Sequence, residues 1–148
     1  MAVEGGPVDL VLLGGGTVYF PHLSNIQSRH IGKGARLHSH IWIGDKVRIG
    51  DGVRVQAFAF IPNGVTIHDN VFIGPRVTFT NDRHPPSNEW SETIVEDHVS
   101  IGAGAIILPG IRIGAHAVIG AGAVVTHNVP SGATVVGNPA RTLREAAE

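Results

Sequence analysis

A repeat of six residues runs through most of the chain and limits what it can fold into. It begins with Ile-Gly-Lys-Gly-Ala-Arg at Ile31, continues without a break to His84 and, after residues 85–94, resumes as far as Pro130. Every first position of the repeat is apolar, and so is every fifth position except Arg83. A period of six fits neither the turn of an α-helix nor the alternation of an ordinary strand. Short strands joined by regular corners satisfy it.

Three repeats would close one triangular coil, with the first-position side chains stacked in a common core and glycines at tight corners. The composition agrees, because 20 glycines accompany a low aromatic content of 5%. A sandwich of many short strands is the alternative, but it does not require such regular spacing. The predicted fold class is therefore all-β: a parallel β-helix of triangular coils with one protruding loop. Periodicity alone leaves its handedness open.

The length of 148 residues predicts a single domain. We expect residues 1–30 to cap one open end with a strand at Val8–Leu13, residues 31–136 to form the β-helix with a loop at 85–94, and residues 137–148 to form a charged tail with one helical turn. The net charge is -1, without a basic run, so we expect no nucleic-acid partner. No long apolar run or signal-like start is present, so we expect a cytoplasmic protein without membrane contact.

Residues one coil apart should stack on the same face, which sorts the sixth positions of the repeat into three outward columns. One column is largely apolar: Trp42, Phe60, Thr78, Ile106 and Val124. Another is polar: Arg48, Thr66, His84, Arg112 and Pro130. Leaving the apolar column in water would cost roughly 25 cal/mol per Å². We expect a neighbouring subunit, or alternatively a terminal segment of the chain, to cover it.

Beyond the repeat, short motifs resemble those of the hexapeptide-repeat acyltransferases. Phe79–Pro85 (F-T-N-D-R-H-P), Ile119–Val125 (I-G-A-G-A-V-V) and Gly137–Ala140 (G-N-P-A) resemble the nucleotide-sugar N-acetyltransferases. Asp82–Pro85, followed by V-V-G-N-P-A-R at Val135–Arg141, also resembles the galactoside and maltose O-acetyltransferases. The resemblance implies left-handed coils, a homotrimer, acetyl-coenzyme A as cosubstrate and a sugar as acceptor.

The same resemblance implies a set of cofactor contacts. Ala103, Ala121 and Thr126 would contact coenzyme A through the backbone, and Arg141 would reach its 3′-phosphate. His127 stands where the relatives have lysine, and because histidine changes charge near neutral pH, a phosphate contact there would be weaker and pH-dependent. The glycines beside Ala103 and Ala121 suit a shallow groove for the pantetheine arm, although tight turns explain them equally well.

Acetyl transfer from a thioester needs a general base and a donor for the developing oxyanion. His84 is the predicted base, since its place in D-R-H-P corresponds to the catalytic histidine of the O-acetyltransferases. The alternative is a histidine that anchors the loop. Asn81 is the rival catalytic residue, and it either clamps the acceptor or forms a side-chain ladder with Asn63, one coil earlier. The sequence does not identify the oxyanion donor.

The loop should also supply the acceptor pocket. Glu89 and Trp90 would shape it together with His84 and Asn81, while Arg112 either binds an acidic group of the acceptor or merely solvates the surface. The motifs favour N-acetylation of an amino sugar, nucleotide-linked or free, with O-acetylation of a sugar as the alternative. The loop is shorter than in the nucleotide-sugar relatives, which argues against a bulky acceptor.

Nine histidines invite a metal hypothesis. The gamma-class carbonic anhydrases share the expected fold and bind metal through histidines of which two are five residues apart, a spacing that this chain lacks. The pairs His98–His116 and His22–His40 are each separated by one coil, so each pair could stack, but two histidines make at most half of a zinc site. We therefore expect no metal. A carbonic anhydrase-like enzyme and a non-catalytic trimeric scaffold remain the alternatives from other classes.

Overall fold

The computed structural model describes residues 15–144 and shows a left-handed parallel β-helix, which confirms the predicted fold class. Its coils are triangular because three short strands alternate with three corners. A single 3-10 turn at Pro21–Leu23 interrupts the first coil. Within residues 15–144 we find no helix with the length and apolar character needed to cross a membrane.

Three sheets form the faces of the triangle, and in each of the first five coils every sheet takes one strand. The first sheet contains, in spatial order, β1 (Thr17–Val18), β4 (Arg36–Leu37), β7 (Arg54–Val55), β10 (Phe72–Ile73), β13 (Ser100–Ile101), β16 (Val118–Ile119), β18 (Thr134–Val136) and β19 (Arg141–Arg144). The second contains β2 (Asn25–Ile26), β5 (Trp42–Ile43), β8 (Phe60–Ile61), β11 (Thr78–Phe79), β14 (Ile106–Ile107) and β17 (Val124–Val125). The third contains β3 (His30–Ile31), β6 (Arg48–Ile49), β9 (Val65–Ile67), β12 (Thr93–Val95) and β15 (Arg112–Ile113).

Stacked aliphatic side chains fill the core. In the first sheet Leu37 pairs with Val55 and Ile73 pairs with Ile101, and all four are fully buried. Branched aliphatic residues suit such strands, because they pack well on a pleated surface and parallel sheets bury their strands. The second sheet includes the fully buried Phe79 as its largest core residue. The six-residue period thus follows from two inward side chains in every repeat, at its first and fifth positions.

Glycine serves two different purposes at the corners. At the fourth position of the repeat the backbone turns in the left-handed conformation, which Gly104 adopts with a φ of 70° and Phe58 with a φ of 66°. At the second position the reason is close approach between coils. A Cβ on Gly102 would lie 2.5 Å from the backbone nitrogen of Ala121 in the next coil. The second-position glycines are therefore explained by stacking rather than by the turn.

The first coil begins earlier than the hexad pattern indicates. Strands β1, β2 and β3 pair in parallel with β4, β5 and β6, so residues 17–31 already contribute to all three sheets. The strand predicted at Val8–Leu13 lies outside the described residues. At the other end, Arg141–Arg144 is not the helical turn that we expected. It forms a strand that pairs antiparallel with β18.

The loop leaves the coil earlier than predicted, which corrects the polar column. Thr66 and Arg112 both pair with Ile94, so Ile94 occupies the place that the sequence analysis gave to His84. In the structure Thr93, and not Arg83, occupies the buried fifth position of the repeat. The Thr93 hydroxyl accepts a hydrogen bond from the Gly110 amide at 3.1 Å, which satisfies it in the core. A charged Arg83 at that position would have been far more costly to bury.

Candidate functional site

The inserted loop, residues 81–92, leaves at the corner between the second and third sheets, which we call the loop corner. The side-chain amide of Asn81 donates to the carbonyl oxygen of Asn63 in the preceding coil at 2.8 Å. The guanidinium of Arg83 donates to the carbonyl oxygen of Pro109 in the following coil at 3.1 Å. The Ser91 amide closes the base of the loop on the carbonyl oxygen of Asn81 at 3.2 Å. The loop is therefore tied to the coils on both sides.

Inside the loop the chain folds around the carboxylate of Asp82. This carboxylate accepts hydrogen bonds from the backbone amide of Ser87 at 2.6 Å, the Ser87 hydroxyl at 2.9 Å and the backbone amide of His84 at 2.9 Å. The Ser87 amide is the main reason why the pKa of Asp82 lies below its ordinary value. Burial, the next effect in size, raises this pKa, and the Ser87 hydroxyl and His84 lower it further. An ionised Asp82 therefore organises the segment that carries His84.

The three loop residues predicted to face the acceptor are exposed. His84, Glu89 and Trp90 all lie at the surface, and 53% of Trp90 is accessible to solvent. The backbone of His84 is fixed by Asp82 while its imidazole is exposed. This arrangement gives the histidine backbone a defined position and leaves its ring accessible from solvent.

Two cavities adjoin the loop corner. The first, which we call the loop cavity, has a volume of about 290 Å³ and is lined by Thr80, Asp82, Arg83, Leu108, Pro109 and Thr126. The second, the terminal cavity, is also about 290 Å³ and includes Thr126, His127, Ala140 and Arg141 in its lining. Thr126 lines both cavities, and its hydroxyl lies 2.9 Å from Nδ1 of His127. The structure thus brings together Thr126, His127 and Arg141, three of the five predicted cofactor residues.

Ala103 and Ala121 lie elsewhere, at the corner between the first and second sheets, which we call the glycine corner. The carbonyl oxygen of Ala103 accepts the amide of Gly122 from the next coil at 2.8 Å, and both alanines are exposed. A Cβ built on Gly122 would meet nothing within 4 Å, so the corner is open. The width of the second sheet separates this corner from the terminal cavity. A ligand of one chain that touched both would cross the outer face of that sheet.

The sequence analysis placed Arg112 next to His84 in one column, but in the structure the two residues do not stack. Arg112 pairs with Ile94 in the third sheet, and its guanidinium forms an ion pair with Glu96. Glu96 also accepts the Ala115 amide at 2.9 Å; this hydrogen bond, followed by the contact with Arg112, holds the pKa of Glu96 below its ordinary value. The guanidinium is therefore engaged in an ion pair between neighbouring coils.

The histidines do not converge. Among residues 15–144 no group of three or more potential ligands has the geometry to hold a metal ion. The rings of His98 and His116 stack at 4.8 Å, in agreement with their separation by one coil. The ring of His40 stacks on Phe58 at 4.7 Å. In both pairs the two rings stack because the residues are one coil apart and occupy the same position of the repeat.

Sequence reasoning missed Thr80 and Arg83 as cavity residues and Asp82 as the organiser of the loop. One signal was available, because Arg83 is the single charged residue at a fifth position of the repeat and so marks where the coil is interrupted. An acidic residue directly after Asn81 at the start of a loop was a second signal, since aspartate commonly accepts backbone amides in turns.

Comparison with known proteins gives a consistent result. The family described as bacterial transferase hexapeptide (six repeats) matches residues 46–81 and 92–127. A 2,3,4,5-tetrahydropyridine-2,6-dicarboxylate N-acetyltransferase of Staphylococcus aureus is 40% identical over 83 residues, which cover 56% of this chain. The match spans only 34% of that relative's length.

Two solved structures have a similar fold. A mutant GDP-perosamine N-acetyltransferase of Caulobacter crescentus, in complex with CoA and GDP-perosamine, gives a TM-score of 0.76 at 20% identity over 89% of this chain and 58% of that one. A maltose O-acetyltransferase of Clostridium difficile 630 gives a TM-score of 0.70 at 29% identity, over 86% of this chain and 73% of that one.

Proposed function

The chain belongs to the bacterial transferase hexapeptide family, and from that premise we propose that it is an acetyltransferase that uses acetyl-coenzyme A. The observation that carries the proposal is the pair of adjoining cavities at the loop corner. One presents His127 and Arg141, two groups suited to phosphate, and the other lies at the base of the loop that carries His84. Thr126 belongs to both, so a cofactor held at the terminal cavity would extend towards the loop.

In this proposal His84 is the general base. Its imidazole takes the proton from the acceptor nitrogen or oxygen as that atom attacks the thioester carbonyl carbon. As the carbon–sulfur bond broke, the protonated imidazole of His84 would return this proton to the departing coenzyme A thiolate. Asn81 uses its side-chain amide to bind Asn63. We assign it the task of holding the loop in place, with its acceptor contact kept as a secondary proposal.

The acceptor that we propose is an amino sugar, acetylated on nitrogen, with Glu89 and Trp90 among its contacts. The F-T-N motif at Phe79 and the similarity to N-acetyltransferases support it. O-acetylation of a sugar is the second candidate, and the observation that favours it is the 29% identity to a maltose O-acetyltransferase of which the chain covers 73%. The ion pair of Arg112 with Glu96 does not support a role for Arg112 in acceptor binding.

A homotrimer belongs to the same proposal. The second sheet exposes Phe60 and Ile106 at 40% and 37%, with Phe58 at the adjoining corner at 53%. Contiguous exposed apolar surface of this kind marks an interaction face. If a neighbouring subunit covers that face, Ala103 and Ala121 of one chain could lie opposite the terminal cavity of the next. Both parts of the predicted cofactor set would then contact one ligand.

Calorimetric titration with coenzyme A tests the proposal first. We expect micromolar binding at one site per chain, with Arg141→Gln weakening it about tenfold through loss of a phosphate contact. His84→Ala should then lower the kcat of acetyl transfer to an amino sugar by about 100-fold or more, with coenzyme A affinity unchanged. His116→Asn, an exposed histidine in another corner, is the control and should leave kcat unchanged. Absence of coenzyme A binding would overturn the proposed function.

A further inference from the structure

A third and larger cleft lies in the first four coils. It has a volume of about 600 Å³ and crosses the third sheet and the corner between the third and first sheets. Its lining includes Arg29, His30, Arg48, His68, Asp69 and Asp97. The strands that contribute to it follow one another in four successive coils, so the cleft extends over about 14 Å, three inter-strand spacings.

The charges of this cleft are segregated across its width, between the third sheet and the corner that follows it. Arg29 directly precedes the first strand of that sheet, and Arg48 lies on the next strand, where it pairs in register with His30. Both arginines are exposed, and among residues 15–144 neither forms an ion pair. The corner carries three successive aspartates in the second, third and fourth coils: Asp51, Asp69 and Asp97. The sheet side of the cleft is therefore cationic and the corner side is acidic.

On the acidic side, the structural hydrogen bonds use only one oxygen of each carboxylate. Oδ1 of Asp69 accepts the Asp51 amide at 2.8 Å, and Oδ1 of Asp97 accepts the Asp69 amide at 2.9 Å. Oδ1 of Asp97 also lies 3.9 Å from Nδ1 of His68. The hydrogen bonds fix the positions of both groups, and each carboxylate keeps an Oδ2 atom that can accept a hydrogen bond from a ligand.

Two guanidinium groups with a neighbouring imidazole are suited to a phosphate, which arginine binds through paired hydrogen bonds. Carboxylates at the corner, beside the arginines in the same cleft, are suited to hydroxyl groups, which donate to them. A volume of about 600 Å³ exceeds the needs of an inorganic ion and falls within the range of small-molecule sites. The chemistry of the two sides therefore describes a single ligand that carries a phosphate on one side and hydroxyl groups on the other.

We propose that this cleft binds a phosphorylated sugar or polyol, with the phosphate on Arg29 and Arg48 and the hydroxyl groups on Asp69 and Asp97. The cleft shares no lining residue with the loop cavity or the terminal cavity. It also lies in the first four coils, whereas the proposed cofactor site lies in the last. The inference therefore stands independently of the acetyltransferase proposal.

Calorimetry with glucose 6-phosphate, inorganic phosphate and glucose, at constant ionic strength, tests this inference. The wild-type protein should bind glucose 6-phosphate at least about fivefold more tightly than inorganic phosphate, and glucose should give no detectable heat. Arg48→Gln should weaken glucose 6-phosphate binding about tenfold. Asp69→Asn should weaken binding of glucose 6-phosphate without weakening that of inorganic phosphate, because only the hydroxyl contacts are lost.

Arg54→Gln is the matched control, since Arg54 is an exposed arginine of the following coil on the adjacent sheet. It should change the affinity less than twofold. Equal losses for Arg48→Gln and Arg54→Gln would mean unspecific attraction of anions and would overturn the proposal. Equal affinities for phosphate and glucose 6-phosphate, or no binding, would overturn it as well. Arg141→Gln should leave glucose 6-phosphate binding intact, which separates this site from the coenzyme A site.

Discussion

Two polar residues with predicted functional roles, Asn81 and Arg112, also make structural contacts between coils. Asn81 donates to Asn63 and Arg112 pairs with Glu96, so each stabilises the stacking of neighbouring coils. A substitution at either position removes a contact whose partner would be left unsatisfied. Loss of activity in such a variant has to be compared with its stability before a role in acceptor binding is assigned. His84 is a cleaner test, because its ring is exposed.

Glu96 should make a pH-dependent contribution to stability. Because the Ala115 amide and Arg112 lower its pKa in the folded state, its contribution is fully present above the ordinary value of 4.5 and is lost as the pH falls through the lowered pKa. We expect Glu96→Gln to lower the melting temperature at pH 7, and the difference from the wild type to shrink towards pH 3. Thermal unfolding monitored by circular dichroism at both pH values measures it. A difference that grows on acidification would contradict this assignment.

At the scale of elements, corners and strands obey different constraints. A strand needs only an inward aliphatic side chain, which any of several residues provides, so Leu37, Val55 and Ile73 succeed one another in the same column. A corner needs either the left-handed conformation or a backbone close enough to the next coil to exclude a Cβ. The loop replaces one such corner. The conformation inside the loop is stabilised by hydrogen bonds to Asp82 and not by a repeated corner.

Two glycines of the glycine corner should respond differently to substitution. Gly102→Ala brings a Cβ to 2.5 Å from the Ala121 nitrogen, so it should reduce the free energy of unfolding by roughly 1–3 kcal/mol. Gly104→Asn should cost less than about 1 kcal/mol, since asparagine tolerates the left-handed conformation and the space around Gly104 is open. Urea unfolding of both variants measures the difference. Equal losses would contradict the distinction between stacking and turn glycines.

The loop should lose its order when Asp82 is replaced. In Asp82→Asn the charge that holds the Ser87 and His84 amides is removed, and we expect these two amides to exchange with solvent at least about tenfold faster. In the wild type the same increase should occur only as the pH falls through the lowered pKa of Asp82, because protonation removes the same charge. Hydrogen exchange followed by NMR measures both effects. Amides of β8, in a neighbouring coil, serve as the internal control.

At the scale of the whole molecule, the three faces differ in what they expose. The second sheet presents a stack of Trp42 on Phe60, with ring centroids 5.0 Å apart, followed by Ile106. The third sheet presents Arg48 and Arg112 instead. Since all three faces share one core, their outer residues are free to specialise, one for association and another for polar ligands.

Replacement of Phe60 should abolish self-association. Phe60→Glu places a charge in the centre of the apolar face, and we expect a trimer in the wild type to become a monomer in the variant. Thr66→Glu, an outward substitution on the adjacent strand of the third sheet, is the control and should keep the trimer. Sedimentation equilibrium distinguishes the two species. A wild-type protein that is monomeric at all concentrations would contradict the proposed interface.

The sequence by itself determined the coil, because a six-residue period of aliphatic residues can be buried only by short strands with corners between them. It also determined which residues share an outward column wherever the repeat is unbroken, such as Trp42, Phe60 and Thr78. The tertiary structure decided where the repeat is interrupted. Thr93 is buried in place of Arg83 because its hydroxyl accepts a hydrogen bond from the Gly110 amide in another coil. The tertiary structure also decided which site residues meet: Thr126 and Arg141 line one cavity because β19 folds back against β18, a pairing that the six-residue repeat does not specify.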